Sequence, residues 1–257
     1  MDARNIVDQK IFWSLFLVAE LSAIASVPYG VSISGDAIYE YGISPPMILA
    51  TQFARGTILL ILAILTGIVL GKKVGLKTPV LESLFEGKGL PADFYQSLKL
   101  SVILGVFAGT LIFATDRFVF SMFIEPLTPL LSSPPLWQRF FYSFYAGIIE
   151  EIVLRFFLLT LLVWITWKIK RTPEDRPTDM GVWLSILLVS VLYGIGYISS
   201  LSLPTDPGLI VDLGIVSLGM VTGTIFGWLY WKKGLEASII ANFTASLTLF
   251  VILGSLF

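Results

Sequence analysis

The sequence predicts an all-α bundle of about seven membrane-spanning helices (six to eight), with residues 1–257 forming a single membrane domain. Three observations carry this expectation. Of the 257 residues, 56% are hydrophobic and only 14% charged, with a mean hydropathy of +0.86. A soluble domain carries about 25% charged residues, so most of this surface must face something as apolar as itself. Long apolar stretches recur along the chain, each near the roughly 20 residues that a helix needs to cross a hydrocarbon core. Basic residues, finally, collect in alternate loops.

The stretches run over 11–33, 47–71, 94–115, 138–167, 182–201, 208–231 and 235–256. The first has the apolar run of a signal segment. However, Asp2 and Asp8 cancel Arg4 and Lys10 ahead of it, and Glu20 interrupts it, so a retained helix is expected. Between the third and fourth stretches, 118–136 is apolar but holds Pro126, Pro129, Pro134 and Pro135. Proline removes a helix donor and clashes with the preceding turn, so this piece reads as interfacial or re-entrant. Lys72, Lys73, Lys77 and Lys88 follow the second stretch. Lys168, Lys170, Arg171 and Arg176 follow the fourth, and Lys232 and Lys233 the sixth. The loops between hold Asp36 and Glu40, then Asp116, Arg117 and Glu125, then Asp206. The positive-inside rule then places the N-terminus in the cytoplasm of a multi-pass protein, expected in the cell membrane, with an odd number of spans. Trp137, Trp164, Trp167, Trp183, Trp228 and Trp231 fall near span ends, where interfacial aromatics belong. The longest polar loops, 72–93 and 168–181, are too short to form a soluble core.

The same composition narrows the chemistry. Net charge is −1, which gives no footing for nucleic acid; the expected partners are the bilayer and a membrane-embedded protein or peptide. There is no cysteine and no histidine. Zinc sites, thiol nucleophiles and imidazole general bases are therefore excluded, and no cofactor or metal is expected. A carboxylate pair beside an arginine would hold Mg²⁺ or Ca²⁺ only weakly without further oxygen ligands.

Against that background the fourth stretch stands out, because Glu150, Glu151 and Arg155 lie inside it. Each charge near the centre of a span costs roughly 2.5–3.5 kcal/mol, so three left alone approach ~10 kcal/mol. Glu151 and Arg155 are four residues apart and share a helix face, so they can pair. Glu150 lies about 100° round the helix and must point at something else. Two readings stay open from pattern alone: an ion pair that fixes helix packing, or a carboxylate in a cavity acting on water as a general base. Glu20 and Arg55 also fall within predicted spans and read as structural or interfacial.

Glu150-Glu151-x-x-x-Arg155 resembles the first motif of the CAAX prenyl protease/Abi family of intramembrane glutamic endopeptidases. Gly75 to Glu82 looks like that family's linker after an early span. Ala146-Gly147 resembles the approach to its carboxylates, and Thr222 to Ala237 the hairpin before its last motif. The resemblance runs from about residue 70 onward, with the core over 137–257. It implies that Glu150 activates a water, helped by a histidine from a Phe-x-x-x-His motif. A third motif, His followed four residues on by Asn or Asp, would stabilise the oxyanion. In this sequence the second motif aligns with Tyr193 to Tyr197, placing Tyr197 where the histidine belongs. The third aligns with Asn242 to Ser246, which stand for the histidine and for the acidic or amide residue.

Each substituted pair keeps its four-residue spacing, so each can still present one face to Glu150. Tyrosine titrates near ~10 and asparagine does not titrate, so neither relays protons at neutral pH. Loss of a placed acid–base partner costs about 10²–10⁴-fold in rate, and loss of an oxyanion donor about 10²–10³-fold. Glu150, Glu151, Arg155, Tyr197, Asn242 and Ser246 are therefore the candidate site residues of three competing functions. The first is an impaired endopeptidase scaffold, a pseudoenzyme that binds a membrane protein or peptide. The second is an active endopeptidase using Glu150, and the third a proton, ion or solute transporter. A cavity joining Glu150, Tyr197 and Asn242 would favour catalysis; filling of that space by Tyr193 or Phe243 would speak against it.

Overall fold

The computed structural model describes residues 3–34, 45–200 and 208–256, and every long element in them is a helix. The chain runs through α1 (Ala3–Ser34), α2 (Pro45–Val74), the short α3 (Pro79–Phe85) and α4 (Phe94–Phe118). It continues through α5 (Leu127–Leu131), α6 (Leu136–Phe144), α7 (Thr160–Ile169), α8 (Asp179–Ser200), α9 (Leu209–Lys233) and α10 (Leu235–Ser246). Among the described residues six helices are long and apolar enough to cross a membrane: Ile6–Ile33, Ala50–Val74, Phe94–Met122, Asp179–Ile198, Leu209–Lys233 and Leu235–Ser255.

A seventh long helix, 136–169, is continuous from α6 to α7 but carries Arg139, Glu150, Glu151 and Arg155, so composition alone does not mark it as a span. It is the site helix. Its middle is not α-helical: Tyr145–Glu150 and Ile152–Leu159 are π-helical, with Glu151 between them. A regular α-helix had been the expectation here. Wide turns of this kind are rare and gather at functional sites. Their displaced carbonyls find partners elsewhere: Ala146 O accepts Asn242 Nδ2 at 3.0 Å, and Arg155 O accepts the Thr160 hydroxyl at 3.2 Å.

The proline-rich piece after α4 does not cross. It forms a single 3₁₀ turn, Phe120–Met122, and the five-residue α5. Buried Asp116 holds α5 by its N-terminus, accepting Leu127 N and Thr128 N at 2.8 Å each and the Thr128 hydroxyl at 2.5 Å. A carboxylate there satisfies backbone donors that no helical carbonyl can reach. Ion pairs Lys72–Asp8 and Lys233–Asp93 bring the start of α1, the end of α2, the end of α9 and the start of α4 to one basic end of the bundle. Asp36, Glu40 and Asp206, which helped to orient the sequence, lie outside the described residues.

Lipid is as apolar as leucine, so these helices associate through close packing and hydrogen bonds rather than through burial from water. Glycine makes the close packing possible. Gly219 of α9 meets Gly194 of α8 so closely that an added Cβ would lie 2.4 Å from the Gly194 Cα. Gly105 and Gly109 of α4 press on the Ala241 and Ala245 carbonyls of α10, at 2.4 Å for the same hypothetical atom. At the turn from α9 to α10, Gly234 has φ +96° and abuts Pro79, so both the backbone angle and the space demand glycine. The site helix lies against α1, α2, α8 and α10. Its Ile148, Ile149, Ile152, Phe156, Leu159 and Val163 sit in the main apolar core.

Candidate functional site

The site is assembled by four helices, the site helix, α8, α9 and α10, and one glycine sets the approach of two of them. Gly147 places the site-helix backbone on Phe243 of α10: a Cβ at Gly147 would fall 2.6 Å from the Phe243 Cβ. That approach lays Asn242, one residue earlier, against the carboxylates. Its amide reaches Glu151 Oε1 at 2.9 Å, Ala146 O at 3.0 Å and Glu150 Oε2 at 3.4 Å.

Glu151 and Arg155 are both fully buried and paired at 2.8 Å. A buried pair survives only when the remaining polar atoms are matched as well. Here Glu151 Oε1 takes Arg155 Nη1 and Asn242, and Oε2 takes the Ser238 hydroxyl in a short contact. Arg155 Nη2 reaches the Gly223 carbonyl at 3.4 Å. The guanidinium also lies 5.1 Å from the Tyr193 ring centroid and 5.4 Å from that of Phe226, within cation–π range on both. Arg155 Nε has no hydrogen-bond partner among the described residues, so this buried half is largely but not fully matched; it ties the site helix to α8, α9 and α10.

Glu150 is different. It is partly exposed, and among the described residues its two hydrogen bonds both go to Oε2: from the Tyr193 hydroxyl at 3.2 Å and from Asn242 at 3.4 Å. Oε1 takes neither. Tyr197 enters through its ring, standing edge-on to Tyr193 with centroids 5.3 Å apart and planes at 87°. Ser246 is buried one turn beyond Asn242, and the hydrogen bonds to the two carboxylates come from other residues.

Of the six candidates, Glu150, Glu151, Arg155 and Asn242 thus meet directly; Tyr197 adjoins through Tyr193, and Ser246 stands apart. Tyr193 fills part of the space beside Glu150, whereas Phe243 is turned to Gly147 and to the Phe144 ring, 4.7 Å away. Ser238 was missed by the sequence reading, although the signal was present. Ser238, Asn242 and Ser246 are spaced by four along α10, which puts three small polar side chains on one face.

Residues 132–248 match the family described as type II CAAX prenyl endopeptidase Rce1-like. The match covers a little under half of the chain and includes every residue of the cluster just described. No curated protein and no solved structure matches the chain.

Proposed function

With an Rce1-like, CAAX-protease-like intramembrane scaffold over residues 132–248 as the premise, we propose that this protein holds a membrane-embedded protein or peptide segment beside Glu150 without cutting it efficiently. One observation carries the reading. Asn242, which stands where the resemblance calls for a histidine, directs its amide N–H groups at Glu151, Ala146 O and Glu150. An amide has two N–H bonds, and those three acceptors occupy both. No donor from Asn242 is left for the oxyanion of a tetrahedral intermediate, and the chain has no imidazole to move protons. What remains is a partly exposed carboxylate among tyrosine rings, which can hold a chain by contact rather than cut it.

The competing reading, an active endopeptidase, draws on a specific feature too: Glu150 is partly exposed and keeps Oε1 clear of both its hydrogen bonds. A water there would lie within reach of a general base. The two readings separate in one assay. Wild type and Glu150→Gln are reconstituted in nanodiscs with labelled transmembrane peptides, prenylated and unmodified, and both capture and cleavage are followed. Capture without cleavage by wild type is the expected result. Cleavage by wild type that is lost in Glu150→Gln would establish a glutamate-dependent protease working without histidine. The variant Tyr197→His/Asn242→His/Ser246→Asp then asks whether the missing groups are the reason for low activity.

A further inference from the structure

Five of the nine tyrosines gather on the side of the site helix that Glu150 faces. Tyr29 stacks on Tyr142 at 4.2 Å, Tyr142 stacks on Tyr145 at 5.8 Å, and Tyr193 meets Tyr197 at 5.3 Å. Tyr142 lies within electrostatic reach of Tyr29, Tyr145, Tyr197 and Glu150, so the two groups of rings lie on the same side as Glu150. Four of the five rings are only half-buried, as is Glu150. The rings come from α1, the site helix and α8.

Among the described residues no cation bonds Glu150. With both carboxyls ionised, Glu150, Glu151 and Arg155 sum to −1, and Arg155 is bonded to Glu151. The donors to Glu150 are a phenol and an amide, both neutral. Arg139, about three turns along the site helix, bonds the Phe250 carbonyl at 2.7 Å and lies within electrostatic reach of Tyr29 rather than bonded to Glu150. An excess anion inside a membrane protein calls for a partner of opposite sign. Aromatic rings around a carboxylate favour one class of partner in particular, because ring faces attract ammonium and guanidinium groups and tolerate their hydrocarbon stems.

We infer that this tyrosine-lined face selects a basic side chain: a held membrane segment sets a lysine or arginine against the tyrosines with its charge on Glu150. This rests on the holding function proposed above and names the chemistry that such a segment must carry. It also gives Glu150 a role that needs neither histidine nor a free oxyanion donor.

The test uses the full chain in nanodiscs and four transmembrane peptides of about 20 residues, identical except for Lys, Arg, norleucine or Glu at the central position. The Lys and Arg peptides should be captured at least about tenfold more tightly than norleucine, a difference of about 1.4 kcal/mol, and the Glu peptide should be captured least. In Glu150→Gln the ratio of Lys and Arg capture to norleucine capture should fall to about one. Equal capture of Lys, norleucine and Glu peptides by wild type would overturn the inference and leave the holding function standing. So would a preference for Lys that survives in Glu150→Gln. Capture of none of the four would remove the holding function itself. The ranking by wild type decides even where the variant fails to fold.

Discussion

Glu150 and Glu151 are adjacent in the chain, yet their surroundings differ in kind. Glu151 is fully buried, holds Arg155, and has both oxygens bonded by side chains of the site helix and α10. Glu150 is partly exposed, has two long hydrogen bonds from neutral groups on one oxygen, and looks onto tyrosine rings. The difference teaches how a membrane bundle can keep a working carboxylate at all. One acid is buried with an arginine that ties four helices together, while its neighbour is only partly satisfied. The first belongs to the architecture; the second is the one that the proposed holding function uses.

If this division is right, the largest effect comes from breaking the sealed half. Arg155→Leu leaves Glu151 buried without its cation and should cost about 3–5 kcal/mol, read as a drop in thermal midpoint of the purified protein in detergent. Gly147→Val should come next, since its side chain would occupy the space of the Phe243 Cβ. Overpacking of that kind costs about 1–3 kcal/mol, and in the capture assay it should also loosen the Asn242 contacts. Ser238→Ala removes one donor from Glu151 Oε2 and should cost about 1–3 kcal/mol. A double-mutant cycle with Arg155→Leu should show coupling, since the two donors share one carboxylate.

The open half should respond in the opposite way. Glu150→Gln should shift the midpoint by less than about 1 kcal/mol, as for substitutions outside the named destabilising mechanisms, while abolishing the selectivity of capture. A large loss of stability there would merge the two carboxylates into one structural unit and end the comparison. The smallest effect belongs to the basic end, where Asp93 is 55% exposed beside Lys233. The hydrogen bond from Lys233 holds the Asp93 carboxyl below its ordinary value of 3.8. The lowered value means that the contribution is present at neutral pH and is lost only as pH falls below that ordinary value. Exposed pairs contribute about 0–1 kcal/mol, so Asp93→Asn should barely move the midpoint at pH 7, and less still in high salt.

Much of this protein could be read before any fold was seen. The apolar stretches placed the long helices because a span must satisfy its own backbone in lipid, which makes hydropathy a direct readout of topology. Four prolines foretold that 118–136 does not cross, and α5 is five residues long. The Glu151–Arg155 pair followed from four-residue spacing alone. The site was legible to the extent that its residues sit on periodic helices: Asn242 was found, and Ser238 could have been by the same spacing.

Other features depended on contacts far apart in sequence. The π turns around Glu151 are invisible to a pattern built on 3.6 residues per turn, because they rest on bonds such as that from Asn242 to the Ala146 carbonyl, 96 residues away. Which way Asn242 turns its amide, and that Tyr193 rather than Tyr197 bonds Glu150, were set by packing between helices at Gly147 and Gly194. Composition and periodicity alone determined a polytopic helical bundle with three charges gathered in one long apolar stretch. Only the tertiary structure decided which carboxylate is sealed and which faces the tyrosines, because neighbours on a helix point to different partners and side-chain contacts choose between them.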